Sequence, residues 1–470
     1  ENDNIAIGFQ AMATDTAGGT ANVAVGNYAL DALTSGDANV AVGDNALSAN
    51  NSGGSNTSIG HESLVANTTA SNNTAVGKGS LTTNTTGADN VAVGFTALTA
   101  NTTGGDNIAI GSQSLLVNTT GGDNVSIGTD AMQSNTTGAD NVAIGKDCML
   151  ANTEGVNNVA MGNISLIANT TGSRNTAIGA ESMNDNTTAD NNTAIGYASL
   201  SKNTTGTSNT AIGWAALEVN TTSSNNVAVG HAAARSNTTG ERIIAIGYGA
   251  YDASDTEDDN IAIGYNALTT NTAGGVKNVM IGNYAGDALT SADDCVGVGY
   301  AALGGMTSGI SCTGIGWQAG INMVGNQNSS CFGYNAQPSS NNVDNEITFG
   351  DGSVSALRCN DQSIAALSDG RDKTDVVDLP HGLDFINQTR PVRFKWDIRD
   401  GQPGQGKQGT TNYGFIAQEL LEIGNNKEHR LVYESNPDKL EARYSNLIPM
   451  MAKAIQELSA KVDAQQSEID

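Results

Sequence analysis

The sequence predicts a mostly β chain: a parallel β-solenoid, or β-roll, of 17-residue coils over residues 1–350, then a separate domain ending in a coiled-coil helix. Three observations predict it. A glycine closing a short apolar run recurs twenty-one times, from Gly8, Gly26 and Gly43 onward to Gly350, at a spacing of 17 except for 18 before Gly26 and before Gly282. Composition shifts abruptly near residue 350, and the end of the chain follows a heptad.

The repeat decides how the composition is read. Apolar residues make up 38% and aromatics 4% of 470 residues, with a formal net charge of -27. That balance would ordinarily indicate disorder, but stacked repeats need few apolar residues each. The acidity excludes nucleic acid as a partner, because phosphate backbones need clustered Lys and Arg. No apolar run approaches the roughly 18 residues of a membrane span, so no membrane insertion is expected. The chain opens ENDNIAIG, without an initiator Met or a signal peptide, in the manner of a fragment or processed product.

One coil, Gly94 to Gly111, shows the physics. Ile108 and Ile110 alternate with Asn107 and Ala109, the period-two pattern of a short half-buried strand. Ala97 and Leu98 form a second apolar contact on the opposite limb, and Asn101 to Asp106 is turn chemistry. Seventeen residues at ~3.3 Å each make a loop of roughly 56 Å, enough for two short strands and two turns. Four positions before the glycine, Asn occupies fourteen consecutive coils from Asn4 to Asn226, as in hydrogen-bonded cross-β ladders. The ladder breaks at Ile243, returns at Asn260 and Asn278, then becomes Cys295 and Cys312. One position earlier stands an acidic column, Asp89, Asp106, Asp123 and Asp140. A cation could bridge in-register carboxylates, but the glycine-rich nonapeptide of calcium-binding rolls is absent. The column reads as a solvated turn, with no metal and no cofactor.

Other suggestive strings dissolve into the repeat. Gly297-Val298-Gly299 with Ala302, and Gly314-Ile315-Gly316 with Ala319, imitate a dinucleotide fingerprint but lack its crossover helix. The Asn-Thr-Thr glycosylation sequons fall where the turn needs Asn and Thr. Cys148, Cys295, Cys312, Cys331 and Cys359 are odd in number and lack metal-ligand spacing. His61, His231, His381 and His429 are isolated. Trp214 and Trp317 each follow a phased glycine, as lateral packing residues or as surface anchors for a ligand.

The region 351–367 reads as a linker. From Ser368 onward the chain holds 13 of its 21 basic and 17 of its 48 acidic residues, leaving a net of -23 ahead of it. Five of the six prolines fall there too, which marks a domain boundary. This domain spans 368–445, and 446–470 is the terminal helix. Ile448, Met451, Ile455, Leu458, Val462, Gln465 and Ile469 step by alternating threes and fours, the seam of a left-handed coiled coil. A helix lying on its own domain would show a wider apolar stripe, so the seam reads as self-association.

Two resemblances extend this reading. NVAVGFTAL and NTAIGYASL resemble the head repeats of trimeric autotransporter adhesins over roughly residues 2–350, which implies a left-handed β-roll with three chains side by side. SDGRDKTDVVDL, GLDFINQTRPVRFKW, YGFIAQEL and YSNLIPMMAKAIQEL, in that order, resemble the endosialidase-type intramolecular chaperone domain of phage tail spikes and fibres. That resemblance implies an α+β domain that trimerises, guides folding of the fibre ahead of it and then cuts itself off. It carries the family's serine onto Ser368, its lysine base onto Lys373 and its scissile bond onto Ser368–Asp369. The basic-aromatic string from Arg390 to Arg399 matches a strand of the same family, not a nucleic-acid surface.

The expectation is a homotrimeric adhesive tail fibre of a phage, virion-borne and extracellular. Its only enzyme chemistry would be a single-turnover Ser-Lys self-cleavage. Its partners would be two further copies, a host-surface glycan or outer-surface protein, and other virion tail proteins bound through residues upstream of Glu1. The alternatives are a bacterial cell-surface or extracellular filament adhesin and a glycan-degrading tailspike. The last needs paired carboxylates in a groove, and no coil carries a catalytic insertion.

Overall fold

The computed structural model describes residues 3–14, 18–354, 357, 371, 373–395, 409, 411–423, 429–434 and 440–469. The chain divides into two compact units, Glu1–Ser308 and Gly309–Asp470.

The first unit is a parallel β-solenoid. Each coil contributes one three-residue strand, from β1 (Ile5–Ile7) to β18 (Val296–Val298). The strands pair in register, so that in β7 (Ile108–Ile110) and β8 (Val125–Ile127) Ile108 faces Val125, Ala109 faces Ser126 and Ile110 faces Ile127. The phased glycine ends each strand for two reasons. At Gly94 φ is 144°, and a Cβ there would run into the carbonyl of Gly111 one coil on. Only glycine meets both conditions.

The opposite limb differs from the expectation of a second strand. Thr96 and Leu98 take φ of 51° and 53°, left-handed values that an extended strand cannot include. Inter-coil hydrogen bonds persist without β geometry. The Thr96 N–H donates back to Lys78 O at 3.0 Å, and the Leu98 N–H donates forward to Ser114 O at 3.0 Å. Leu98 pays about 1–2 kcal/mol for its left-handed backbone. Full burial of its side chain returns about 1.5–3 kcal/mol, so the limb is stable in this form.

The interior is narrow, and this sorts the strand residues. Ala109 is fully buried, Ile108 half-buried and Ile110 38% exposed, so the small residue points in and the branched ones point out. Met280 tests the rule. It stands in the alanine column, and its neighbours Gly286 and Gly297 replace a leucine and an alanine of other coils. A Cβ on Gly286 or Gly297 would lie 2.7 or 2.6 Å from the Met280 sulfur. The volume is conserved, as close packing requires.

Two asparagine ladders run through this interior. In the expected one, Asn107 Nδ2 donates to Asn90 Oδ1 at 3.1 Å and to Gly121 O at 3.0 Å, while its Oδ1 accepts the Asn124 N–H at 3.1 Å. The second uses the Asn of each Asn-Thr-Thr string. Asn101 Nδ2 donates to Asn84 Oδ1 and to Gly104 O, each at 2.8 Å, and the column runs from Asn50 to Asn237, all buried. Sequence reading assigned these residues to turns; the signal for a ladder was their fixed distance from the phased glycine. Near the break at Ile243, Tyr251 replaces the core leucine and Ser254 the second-ladder Asn. The Tyr251 hydroxyl donates to Glu257 O and accepts from Asn260 Nδ2, each at 2.9 Å. The buried Glu257 carboxylate accepts from the backbone N–H groups of Asp255, Thr256 and Gly274.

The second unit begins with three more coils, whose strands β19 (Thr313–Ile315), β20 (Ser330–Phe332) and β21 (Ile347–Phe349) pair in parallel. An α+β region follows. Helix α1 (Leu383–Ile386) precedes the antiparallel pair β22 (Val392–Lys395) and β23 (Thr411–Gly414). Then come α2 (Ala417–Ile423), the short antiparallel pair β24 (Val432–Tyr433) and β25 (Glu441–Ala442), a 3-10 turn at Tyr444–Asn446, and α3 (Leu447–Ile469). Phe385, Leu420, Leu431, Val432, Leu447 and Met450 form its core.

Candidate functional site

Helix α3 carries two apolar stripes. Leu447, Met450 and Ala454 are buried, the first two in the core with Phe385 of α1. Glu457, further along α3, accepts the Leu383 N–H at 2.7 Å and so ties the start of α1 to the helix. The other stripe is the heptad seam. Ile448, Met451, Ile455, Leu458, Val462 and Ile469 are all exposed, Ile455 to 67%. The first two turns therefore do carry the wider stripe of a helix packed on its own domain, while the seam remains on the surface. Sequence reading separated these as alternatives; in the structure the helix packs on its own domain and leaves the seam exposed.

Arg390, just before β22, grips Glu419 of α2 through both carboxylate oxygens, with Nε to Oε2 at 3.0 Å. The hydrogen bond from Arg390 holds the Glu419 carboxyl below its usual range. This pair assigns the first residue of the basic-aromatic string to a contact inside the domain. Lys373 is exposed on the chain leading to α1. Ser368 and Asp369 lie outside the described residues, as do Asp372 and Cys359.

The family described as chaperone of endosialidase matches residues 368–429. Residues 368–429 are an endosialidase-type chaperone domain. No curated protein matches the chain. The match takes in Ser368 and Lys373 and ends ahead of β24, β25 and α3. Among the described residues no helix is long and apolar enough to cross a membrane.

The solenoid ahead of the chaperone domain presents two surfaces. The outward strand positions form two apolar columns, one through Val91, Ile108 and Val125, the other through Val93, Ile110 and Ile127. Just past the phased glycine, a third column carries exposed rings. Trp214 stacks on His231 at 4.5 Å between centroids, His231 on Tyr248 at 4.8 Å, and Tyr248 on Tyr265 at 5.2 Å, all within 16° of parallel. Sequence reading singled out Trp214; the stack became visible only when coils one repeat apart lay against each other. Asp89, Asp106, Asp123 and Asp140 occupy exposed turn positions with φ of 57–59°. Cys148 and Cys331 are buried, and burial pushes each thiol up to about 12.

Proposed function

We propose that the chain is the subunit of a homotrimeric phage tail fibre that attaches to a host surface, folded by its chaperone domain and released from it by self-cleavage. The observation that carries this reading is the exposed seam of α3 on a helix whose other stripe is already committed to the chaperone domain. Six large apolar side chains left in water on one helix are stable only if other helices cover them. The outward apolar columns of the solenoid support the same assembly. The column through Val93, Ile110 and Ile127 stays apolar in every coil, while the other is interrupted by residues such as Thr57, Thr74 and Thr176. Lateral association of so acidic a solenoid must offset charge repulsion by burying that apolar area.

The family match, which takes in Ser368 and Lys373, supports a self-cleavage chemistry at these two residues. The Ser368 hydroxyl adds to the carbonyl of the Ser368–Asp369 bond while the Lys373 amine acts as the base that takes its proton. The proton passes to the Asp369 nitrogen as the amide breaks, leaving a strained four-membered lactone within Ser368 that water opens to a carboxylate. A fibre cut from its chaperone cannot easily refold, so the product is kinetically trapped.

Intact mass of the expressed full chain tests this. Wild type should yield a fragment beginning at Asp369, while Ser368→Ala and Lys373→Ala should stay whole and still sediment as trimers. A wild-type chain that remains intact at every pH leaves only the chaperone role, and a monomer in the ultracentrifuge refutes the fibre.

A further inference from the structure

The ring column is a surface that neither folding nor trimer formation requires. In earlier coils the same position holds Asp44, Lys78 and Lys146. Burying such charges against another chain would be costly, so the column lies at the rim of the apolar sheet face and looks into solvent. Over consecutive coils it then becomes Tyr197, Trp214, His231, Tyr248 and Tyr265. Four of these, the tyrosines and the tryptophan, are 42–50% exposed. The neighbouring position, occupied by Gln113, Asp130 and Asp147 earlier, becomes Ala198, Ala215, Ala232 and Gly249 beside the stack. Besides one another the rings meet Arg235, which lies over Trp214, and Tyr284, which packs edge-on against Tyr265. The position beside Tyr197, Trp214, His231 and Tyr248 stays small.

The stacking geometry decides what this strip can bind. His231 and Tyr248 use both ring faces within the stack, while Trp214 and Tyr265 use one each and also meet Arg235 and Tyr284, so along the stack solvent meets mainly ring edges. Edges carry the positive part of the aromatic quadrupole, which disfavours a cation cage, since cations seek ring faces. Tyrosine, tryptophan and histidine rings also carry hydroxyl, indole N–H and imidazole groups on an otherwise apolar strip. Polar groups of both signs flank it. The Glu181 carboxylate beside Tyr197 pushes its hydroxyl pKa up, and Arg235 pairs with Glu218 at 3.0 Å while its guanidinium lies over the Trp214 ring, 5.9 Å from the centroid. The chain's net charge of -27 repels polyanions. The complementary ligand is uncharged, long, apolar on one side and rich in hydroxyls.

The geometry points to a binding strip for an extended neutral glycan, from Tyr197 to Tyr265. It rests on the host-attachment reading above and names the chemistry of that contact.

Affinity electrophoresis of the full-length trimer in gels containing dextran, mannan or hydroxyethyl cellulose tests the strip, with heparin as the polyanionic comparator. Wild type should be retarded by at least one neutral polymer and not by heparin. Trp214→Ala/Tyr248→Ala should weaken that retention by about tenfold or more. Phe95→Ala, in the same column but outside the stack, should leave it unchanged. Circular dichroism checks that the double variant keeps its fold. A wild-type trimer that none of the neutral polymers retards, retardation by heparin alone, or equal loss in Phe95→Ala overturns the proposal. A double variant that dissociates in the ultracentrifuge also overturns it, because a second copy then covers the rings. Failure of the fibre reading shows instead as a wild-type monomer.

Discussion

Replacing Asn107 by alanine removes one rung from the interior of the solenoid. Its Nδ2 donates to Asn90 Oδ1, Gly105 O and Gly121 O, and its Oδ1 accepts the backbone and side-chain N–H groups of Asn124, all at 3.0–3.1 Å. Gly121 O keeps a donor in Asn118 Nδ2, and Asn124 Nδ2 keeps Gly138 O. The Asn124 N–H loses the acceptor it has in the wild type. At about 0.5–1.5 kcal/mol net for each bond lost, and about 1–3 kcal/mol for a buried orphan amide, the expected cost is about 3–6 kcal/mol. The repeat opens locally, not as one two-state unit, so hydrogen exchange read by mass spectrometry on peptides covering 99–128 is the assay. Exchange there should quicken by about two to four orders of magnitude, while peptides several coils away change little. A change below about threefold would show that the ladder carries no stability. Asn107→Asp adds a sign to the test. A carboxyl buried opposite Asn90 Oδ1 has its pKa raised above the usual ~3.9. Its stability is therefore complete below about pH 4 and lost as pH rises through the raised value. The aspartate variant should approach wild type in acid and fall below the alanine variant at pH 7.

Gly94→Ala forces a Cβ against the Gly111 carbonyl at a φ open only to glycine. It should cost more than about 3 kcal/mol and create a protease-sensitive site at that coil in limited digestion. Cys148 donates its thiol to Ala160 O at 3.2 Å and is pushed up to about 12 by burial, so iodoacetamide at pH 8 should label it only after unfolding. The unfolded thiol ionises near its ordinary value of about 8.5 while the folded one cannot, so this site's stability holds below that pH and declines as pH climbs toward 12. Ile455→Asp/Leu458→Asp places charges in the seam and should abolish the trimer in sedimentation; an unchanged trimer would make the coiled coil dispensable.

Periodicity alone determined the solenoid, because a stack of equal coils writes its geometry into every seventeenth residue. It also located the first Asn ladder and the heptad, since each is a one-dimensional pattern with a known spacing. Ser368 and Lys373 were legible through a motif, whereas their spacing by itself carried little. The tertiary structure decided what periodicity leaves degenerate. Alternation at Asn107–Ile110 has two opposite readings, and the narrow interior, which takes a residue larger than Ala109 only where glycines such as Gly286 and Gly297 make room, turned Ile108 and Ile110 outward. The limb through Leu98 looked like a strand because its residues are apolar and compact, yet inter-coil hydrogen bonding can be met by left-handed residues as well. Asn101 passed for a turn residue because Asn favours both roles, and what separates them is burial. The two stripes of α3 overlap by one position along the helix, so their partners, the domain core for Leu447 and Met450 and open surface for Ile448 and Met451, became distinct only when α1 and its core occupied one side.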